Sequence, residues 1–346
     1  MQGYLCAPED TPFLTEELRA AGFQTEWHSP GLLSSRSSAP PLPLAPVFLR
    51  QWLPDVRPAR AESIRLWAEA LVGRVREQVS AGVPWRLHVV PHYLTVNSTH
   101  AGENRCRLIR EATVEQLGRQ ARQLLRTLQG SGAAPFTNEE SLVQLVLTQP
   151  DAGWISVALA PLPAMSRRFL SPFSAGEIPV ASDPAAPSRA FAKLLEAEIR
   201  LGRQIASRES CVDLGACPGS WSYVALRRGA SVVAVDRAPV RDDLLRNPRL
   251  RFVQGDAFRY RPDQLVDWLI CDVIAAPERS IQLVLDWVRA RWCRHFVVTI
   301  KFKGHEEYAR LELLKRELPG LTLDFGIARL CANKNEACVF GSALTV

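Results

Sequence analysis

Asp213-Leu214-Gly215-Ala216-Cys217-Pro218-Gly219 decides how the C-terminal half of this 346-residue chain folds. The apolar pair Cys211-Val212 leads into it and Ser220-Trp221 follows, so a strand breaks at a tight turn and a helix starts around Trp221. Gly215 lets the backbone pass close to a ligand, and Pro218 and Gly219 shape the turn. A helix starting there aims its free N–H groups at whatever lies over the strand end. In an open α/β sheet, that place is where ligands bind.

Outward from this turn, apolar runs predict parallel strands over 211–215, 231–236, 250–255, 268–272 and 295–300, with helices between them. Two further strand-like runs, 321–328 and 336–344, close the pattern, and a helix over 188–207 precedes it. The expected architecture is a seven-stranded, doubly wound, Rossmann-like α/β sheet with an antiparallel edge. Asp236 ends the second strand, where a carboxylate can accept hydrogen bonds from two ribose hydroxyls. Asp256 ends the third, near the place of an adenine. A nicotinamide-binding domain would want G-x-G-x-x-G, which this loop lacks. The expected cofactor is therefore S-adenosyl-L-methionine. Its candidate contacts are Asp213, Gly215, Ala216, Cys217, Pro218, Gly219, Ser220, Trp221, Asp236, Asp256 and Asp272.

The N-terminal half reads differently. A strand over 3–6 leads to a short helix with Thr11 as N-cap, Pro12 at its first position and Gly22 as its stop. Residues 29–46, rich in Ser and Pro, read as a loop. Helices over 59–79 and 113–128 mix with strands over 85–90, 141–147 and 154–160, an α+β pattern. Arg105, Arg107, Arg110, Arg119, Arg122 and Arg126 can face phosphate or merely form a solvated helix face. Another Pro- and Ser-rich stretch, 166–187, is the expected linker to the catalytic domain at 188–346.

The end of the fourth strand narrows the methyl acceptor. Methylation of exocyclic base amines asks for Asn/Asp-Pro-Pro-aromatic there, and this chain has Asp272-Val273-Ile274-Ala275. Cysteine-dependent base chemistry is poorly served, because Cys271 should point away from Asp272. Lys193, Asp272, Lys301 and Glu336 instead occupy positions that can converge over the methyl donor. A ribose 2′-hydroxyl must lose its proton to attack a sulfonium methyl, and a lysine takes it only when neutral. A neighbouring cation and partial desolvation favour that form. Lys301 is the expected base, with Lys193, Asp272 and Glu336 positioning it.

At these residues the chain resembles a known family. Asp213-Leu-Gly-Ala-Cys-Pro-Gly-Ser-Trp-Ser-Tyr, Pro187-Ser-Arg-x-x-x-Lys193, Gly255-Asp-Ala-Phe-Arg-Tyr-Arg-Pro and Trp292-Cys-Arg are similar to the RlmM type of bacterial 23S ribosomal RNA ribose 2′-O-methyltransferase, within the FtsJ/RrmJ-like group. The match is strongest over 187–302, with fainter echoes at Phe48-Leu-Arg-Gln-Trp52 and Ser171-Pro-Phe. The resemblance implies a ferredoxin-like region at 1–58, a THUMP-like RNA-binding domain at 59–165, and a Lys-Asp-Lys-Glu tetrad. It also implies a cytidine of 23S rRNA, or of a large-subunit precursor, as acceptor. Ser220 departs from that pattern, standing where the family usually has Gly. So does Phe302-Lys303-Gly304-His305, where the family has a Leu-Pro-containing run.

Bulk properties agree without deciding. The net charge is +6 and the pI about 9.0, compatible with a nucleic-acid partner. None of the eight cysteines forms a CxxC, and they read as reduced core thiols. His88 and His92 flank strand-like sequence, and no metal site is expected. With no secretory leader and no apolar run near the roughly 20 residues that span a bilayer, the expectation is a soluble cytoplasmic enzyme with no membrane partner. The competing readings are an RNA-binding protein that keeps a methyltransferase fold without turnover, and an O-methyltransferase acting on a small molecule.

Overall fold

The structure is a computed structural model that describes residues 1–36, 44–93, 100–130, 132, 136–163, 166, 168–344. It divides into two compact units, Met1–Ile178 and Pro179–Val346.

The first unit holds two sheets. In one, β1 (Gln2–Leu5), β2 (Thr25–Ser29), β3 (Leu32–Ser35) and β4 (Gln51–Leu53) run in the order β2-β3-β1-β4, with α1 (Thr11–Ala20) alongside. Asp10, not Thr11, is the N-cap of α1; the Thr11 hydroxyl donates to the Pro8 carbonyl at 2.7 Å. The expected loop over 29–46 contains β3, whose Leu32 and Leu33 are fully buried and pair with β1. The second sheet contains β5 (Arg57–Arg60), β6 (Trp85–Pro91), β7 (Leu128–Gln129), β8 (Ser141–Gln149) and β9 (Ala152–Ala158), in the order β5-β9-β8-β6-β7.

The helix expected over 59–79 starts later, as α2 (Ile64–Gln78), because Ser63 caps it through the Leu66 N–H and the chain before it pairs as β5. The helix expected over 113–128 begins earlier, as α3 (His100–Gln120), and breaks at Ala121 before α4 (Arg122–Arg126). Trp67, Leu71 and Val75 of α2 pack with Ile109 and Leu117 of α3 and with Val143 and Leu145 of β8. Each such fully buried aliphatic side chain contributes roughly 1.5–3 kcal/mol.

The segment expected as a linker is in part structural. The Trp52 N–H donates to the Phe169 carbonyl, and the Gln51 amide exchanges hydrogen bonds with the Ser171 backbone. The chain leaves the first unit only after Ile178.

The second unit is a seven-stranded sheet built from β10 (Ser210–Leu214), β11 (Ser231–Asp236), β12 (Leu250–Gln254), β13 (Val266–Cys271), β14 (Cys293–Lys301), β15 (Thr322–Ala328) and β16 (Glu336–Ala343). The order is β12-β11-β10-β13-β14-β16-β15, parallel through β14 and antiparallel at β16 and β15. This is the doubly wound sheet with an antiparallel edge that the apolar runs predict. The strand order reverses between β10 and β13, so a crevice opens at their carboxyl ends. Of the helices in this unit, α5 (Phe191–Leu201), α6 (Ser220–Arg227), α7 (Asp242–Leu245) and α8 (Pro277–Arg289) connect or precede the parallel strands, and α9 (Glu312–Glu317) follows them.

Candidate active site

The loop after β10 packs its glycines tightly against neighbouring side chains. Gly215 has φ +74°, and a Cβ there would stand 2.7 Å from Val273 Cβ. Gly219 has φ +107° and a Cβ there would collide with Leu244. Neither position accepts a larger residue without strain. The Cys217 N–H donates to Asp236 Oδ2 at 3.0 Å, tying the loop to the end of β11. That carboxylate also caps its own turn through the Ala238 N–H at 3.1 Å.

Several sequence-predicted contacts work from behind the loop. Asp213 is fully buried and accepts from the Ser222 N–H at 3.0 Å and the Ser222 hydroxyl at 2.6 Å. Burial pushes its carboxyl up to about 7, against the pull of those two bonds. Asp213 therefore locks α6 to β10 and shapes the loop. Trp221 is buried too, with its indole N–H on the Ala190 carbonyl at 2.8 Å, so its ring joins α6 to the approach of α5. Ser220, the departure from the family pattern, has its hydroxyl 2.7 Å from that of Ser188 and completes the same junction. Asp256 accepts from the Phe258 N–H at 2.9 Å, and this bond, with Arg237 and Arg279 nearby, holds its carboxyl below the usual range.

Lys193, Asp272, Lys301 and Glu336 converge at the carboxyl ends of the strands. Lys193 comes from the first turn of α5, Asp272 directly follows β13, Lys301 ends β14, and Glu336 opens β16 as the cross-strand partner of Lys301. Lys193 Nζ lies 2.9 and 3.0 Å from the two Asp272 oxygens and 2.8 Å from Glu336 Oε1. Burial lowers the pKa of Lys193, but the two carboxylates outweigh it, and the net direction is up. Lys301 Nζ donates to the Asp272 carbonyl at 2.8 Å and lies 3.2 Å from Asp272 Oδ1. Both amines thus share one carboxylate oxygen.

Sequence reasoning missed the supporting residues. Ser222 is the partner of Asp213. Asn333 donates to Glu336 Oε1 at 3.1 Å, and Asn335 donates to the Phe302 carbonyl at 2.9 Å. The signal was the run Asn333-Lys334-Asn335-Glu336, in which two amides precede the carboxylate.

Other candidates separate. Cys271 is buried and its thiol is pushed up to about 12, unsuited to nucleophilic attack. Cys217, expected in a core, is exposed. His88 Nε2 pairs with the Pro172 carbonyl and His92 Nε2 with that of Pro30, which spends a ring nitrogen of each. Of the N-terminal arginines, Arg107 and Arg119 pair with glutamates on their own helix, while Arg105, Arg110 and Arg122 donate to backbone carbonyls. Among the described residues, no helix is long and apolar enough to cross a membrane.

A doubly wound sheet with this loop and this lysine–carboxylate group defines a methyltransferase domain. Residues 186–318 match the family described as FtsJ-like methyltransferase, so the second unit carries an FtsJ-like methyltransferase domain. The chain is similar to Ribosomal RNA large subunit methyltransferase M of Xylella fastidiosa (strain M12), with 38% identity over 168 residues, covering 46% of this chain and 48% of that protein. The protein of the same name from Pseudoalteromonas translucida is 31% identical over 182 residues, covering 49% and 50%. The chain spans about half the length of the curated relatives it matches. Among solved structures, TrmN from Thermus thermophilus aligns over 99% of both chains, at 16% identity and a TM-score of 0.33.

S-adenosylmethionine fits the residues present. Hydrogen bonds from the Gly215, Ala216 and Cys217 N–H groups to Val235 and Asp236 fix the loop, and Asp236 and Asp256 stand at the neighbouring strand ends with carboxylate acceptors for hydroxyl and amine.

Proposed function

We propose that this chain catalyses S-adenosylmethionine-dependent 2′-O-methylation of a ribose in RNA, acting in the cytoplasm. The acceptor is a cytidine of bacterial 23S rRNA, as the resemblance implies; the name of the relatives supports large-subunit ribosomal RNA as the substrate. The observation that carries the reading is the Lys193–Asp272–Lys301–Glu336 group at the strand ends beside the donor loop. The first unit, with its ferredoxin-like and THUMP-like regions, holds the RNA.

When bound, S-adenosylmethionine supplies a methyl carbon made electrophilic by its sulfonium. Gly215, Ala216, Cys217, Pro218 and Gly219 would line the donor, with Asp236 on its ribose and Asp256 toward its adenine. Lys193, paired with two carboxylates, keeps its proton and fixes Asp272 and Glu336 in place. Lys301, held by one carboxylate oxygen and a neutral carbonyl, takes the proton from the 2′-hydroxyl as the oxygen attacks. Asp272 holds the Lys301 amine on the line of attack, an orientation effect.

The test is transfer of labelled methyl to undermethylated 23S rRNA. Wild type transfers it to a ribose 2′-oxygen. Lys301→Ala lowers the rate by at least about 100-fold, the scale of general base catalysis, with donor affinity nearly intact. No transfer by wild type that binds donor would overturn the enzymatic reading. An active Lys301→Ala variant would remove Lys301 from its role.

A further inference from the structure

We propose that His305, stacked on Tyr308, is the platform that receives the base of the acceptor nucleotide, a proposal that rests on the ribose methylation reading above. The chain continues from Lys301 through Phe302-Lys303-Gly304 into a short 3₁₀ turn, His305–Leu311. Phe302 is buried and meets Tyr308 edge-on, with ring centroids 4.6 Å apart. The Tyr308 hydroxyl donates to Asn335 Oδ1 at 2.6 Å. Asn335 in turn donates to the Phe302 carbonyl at 2.9 Å and accepts the Phe302 N–H on its own carbonyl at 3.0 Å. Phe302 follows Lys301 and Asn335 precedes Glu336, so Tyr308 is anchored directly beside two members of the tetrad. The His305 ring is exposed and lies parallel to Tyr308, at 9° and 5.9 Å between centroids.

Three features fit this surface to a nucleobase. First, it sits on the correct side. The donor loop and the strand ends carrying Asp236 and Asp256 belong to β10, β11 and β12, whereas the platform follows β14, separated from the donor loop by β13 in the sheet order. Second, the acids of the segment are folded back on their own turn. Glu307 accepts the Lys303 N–H at 2.6 Å and the Glu306 carboxylate lies against Gly304, while Lys303 is exposed. Third, a ribose hydroxyl presented to Lys301 brings its base with it, and an unstacked base is held by an aromatic face.

Steady-state methylation of undermethylated 23S rRNA tests the proposal with wild type, His305→Ala, His305→Phe and His305→Lys, alongside donor affinity and denaturation midpoints. Loss of one stacking contact raises KM for RNA about 5- to 10-fold in His305→Ala, with kcat, donor affinity and midpoint near wild type. His305→Phe restores KM and His305→Lys does not. If wild type is active and His305→Ala has unchanged KM, or if Lys restores it as well as Phe, the platform is wrong while the function stands. If wild type transfers no methyl to RNA, the functional reading fails and takes the platform with it.

Discussion

Replacing Lys193 with Met removes the amine at the centre of the tetrad while keeping a chain of similar length. In the native arrangement Lys193 Nζ contacts both Asp272 oxygens and Glu336 Oε1, with the Lys193 and Glu336 side chains 10% and 9% exposed. After the change, Glu336 keeps the Asn333 amide and Asp272 keeps Lys301. Breaking a buried pair by removing one partner costs about 3–5 kcal/mol. The retained partners place this case at the low end, about 3 kcal/mol at pH 8. The pH dependence has a definite sign. Lys193 has a folded pKa raised above 10.5, so its contribution is complete below that value and is lost only as pH rises through the folded pKa. Between pH 5 and 8 it therefore adds no slope to wild type. Adding Glu336→Gln to Lys193→Met recovers about 1–2 kcal/mol, a coupling expected of residues in contact. The assay is chemical denaturation followed by tryptophan fluorescence at pH 5 and 8. A Lys193→Met protein within about 0.5 kcal/mol of wild type at pH 8, or a Lys193→Met/Glu336→Gln double variant no more stable than Lys193→Met, refutes the reasoning.

Asp213 titrates in the opposite sense to a surface carboxylate. Its folded pKa, raised by burial from 3.8 to about 7, means that its protonated form stabilises the fold at low pH. The contribution is present below 3.8 and falls as pH rises to about 7, by up to about 4 kcal/mol. Asp213→Asn therefore loses least relative to wild type at pH 8 and most at pH 4; a difference independent of pH would contradict this. Gly215→Ala forces a side chain into φ +74° and against Val273. Left-handed strain of about 1–2 kcal/mol plus overpacking of about 1–3 kcal/mol lowers stability and weakens donor binding in calorimetry, and unchanged donor affinity would show that the loop has slack.

The parallel sheet was legible because its signal is local. Apolar runs bounded by turn residues placed 231–236 at its observed bounds, and the other strands differ by a residue or two at their ends. Helix ends were less legible. Ser63 moved the start of α2, and the break at Ala121 divided what reads as one periodic stretch. The stretch over 166–178 looked like a linker from its composition, yet it makes hydrogen bonds with residues near 51, a long-range pairing that composition does not encode.

By itself, the sequence determined that a strand, a tight glycine turn and a helix follow one another at 210–227. Backbone conformation there is set by neighbouring residues, so Gly215, Pro218 and Gly219 suffice. Tertiary structure alone decided which side chains face the crevice. Asp213 and Trp221 turn inward because Ser222 and Ala190 offer partners, so two predicted ligand contacts are buried supports of the loop. It alone decided the unequal environments of the two lysines. Lys193 and Glu336 lie far apart in the chain and meet only because α5 packs over the antiparallel strand β16, inserted between β14 and the edge strand β15. Once they meet, burial makes their pairing obligatory. Lys301 is left with a shared oxygen and a carbonyl, which is why the two lysines are assigned different roles.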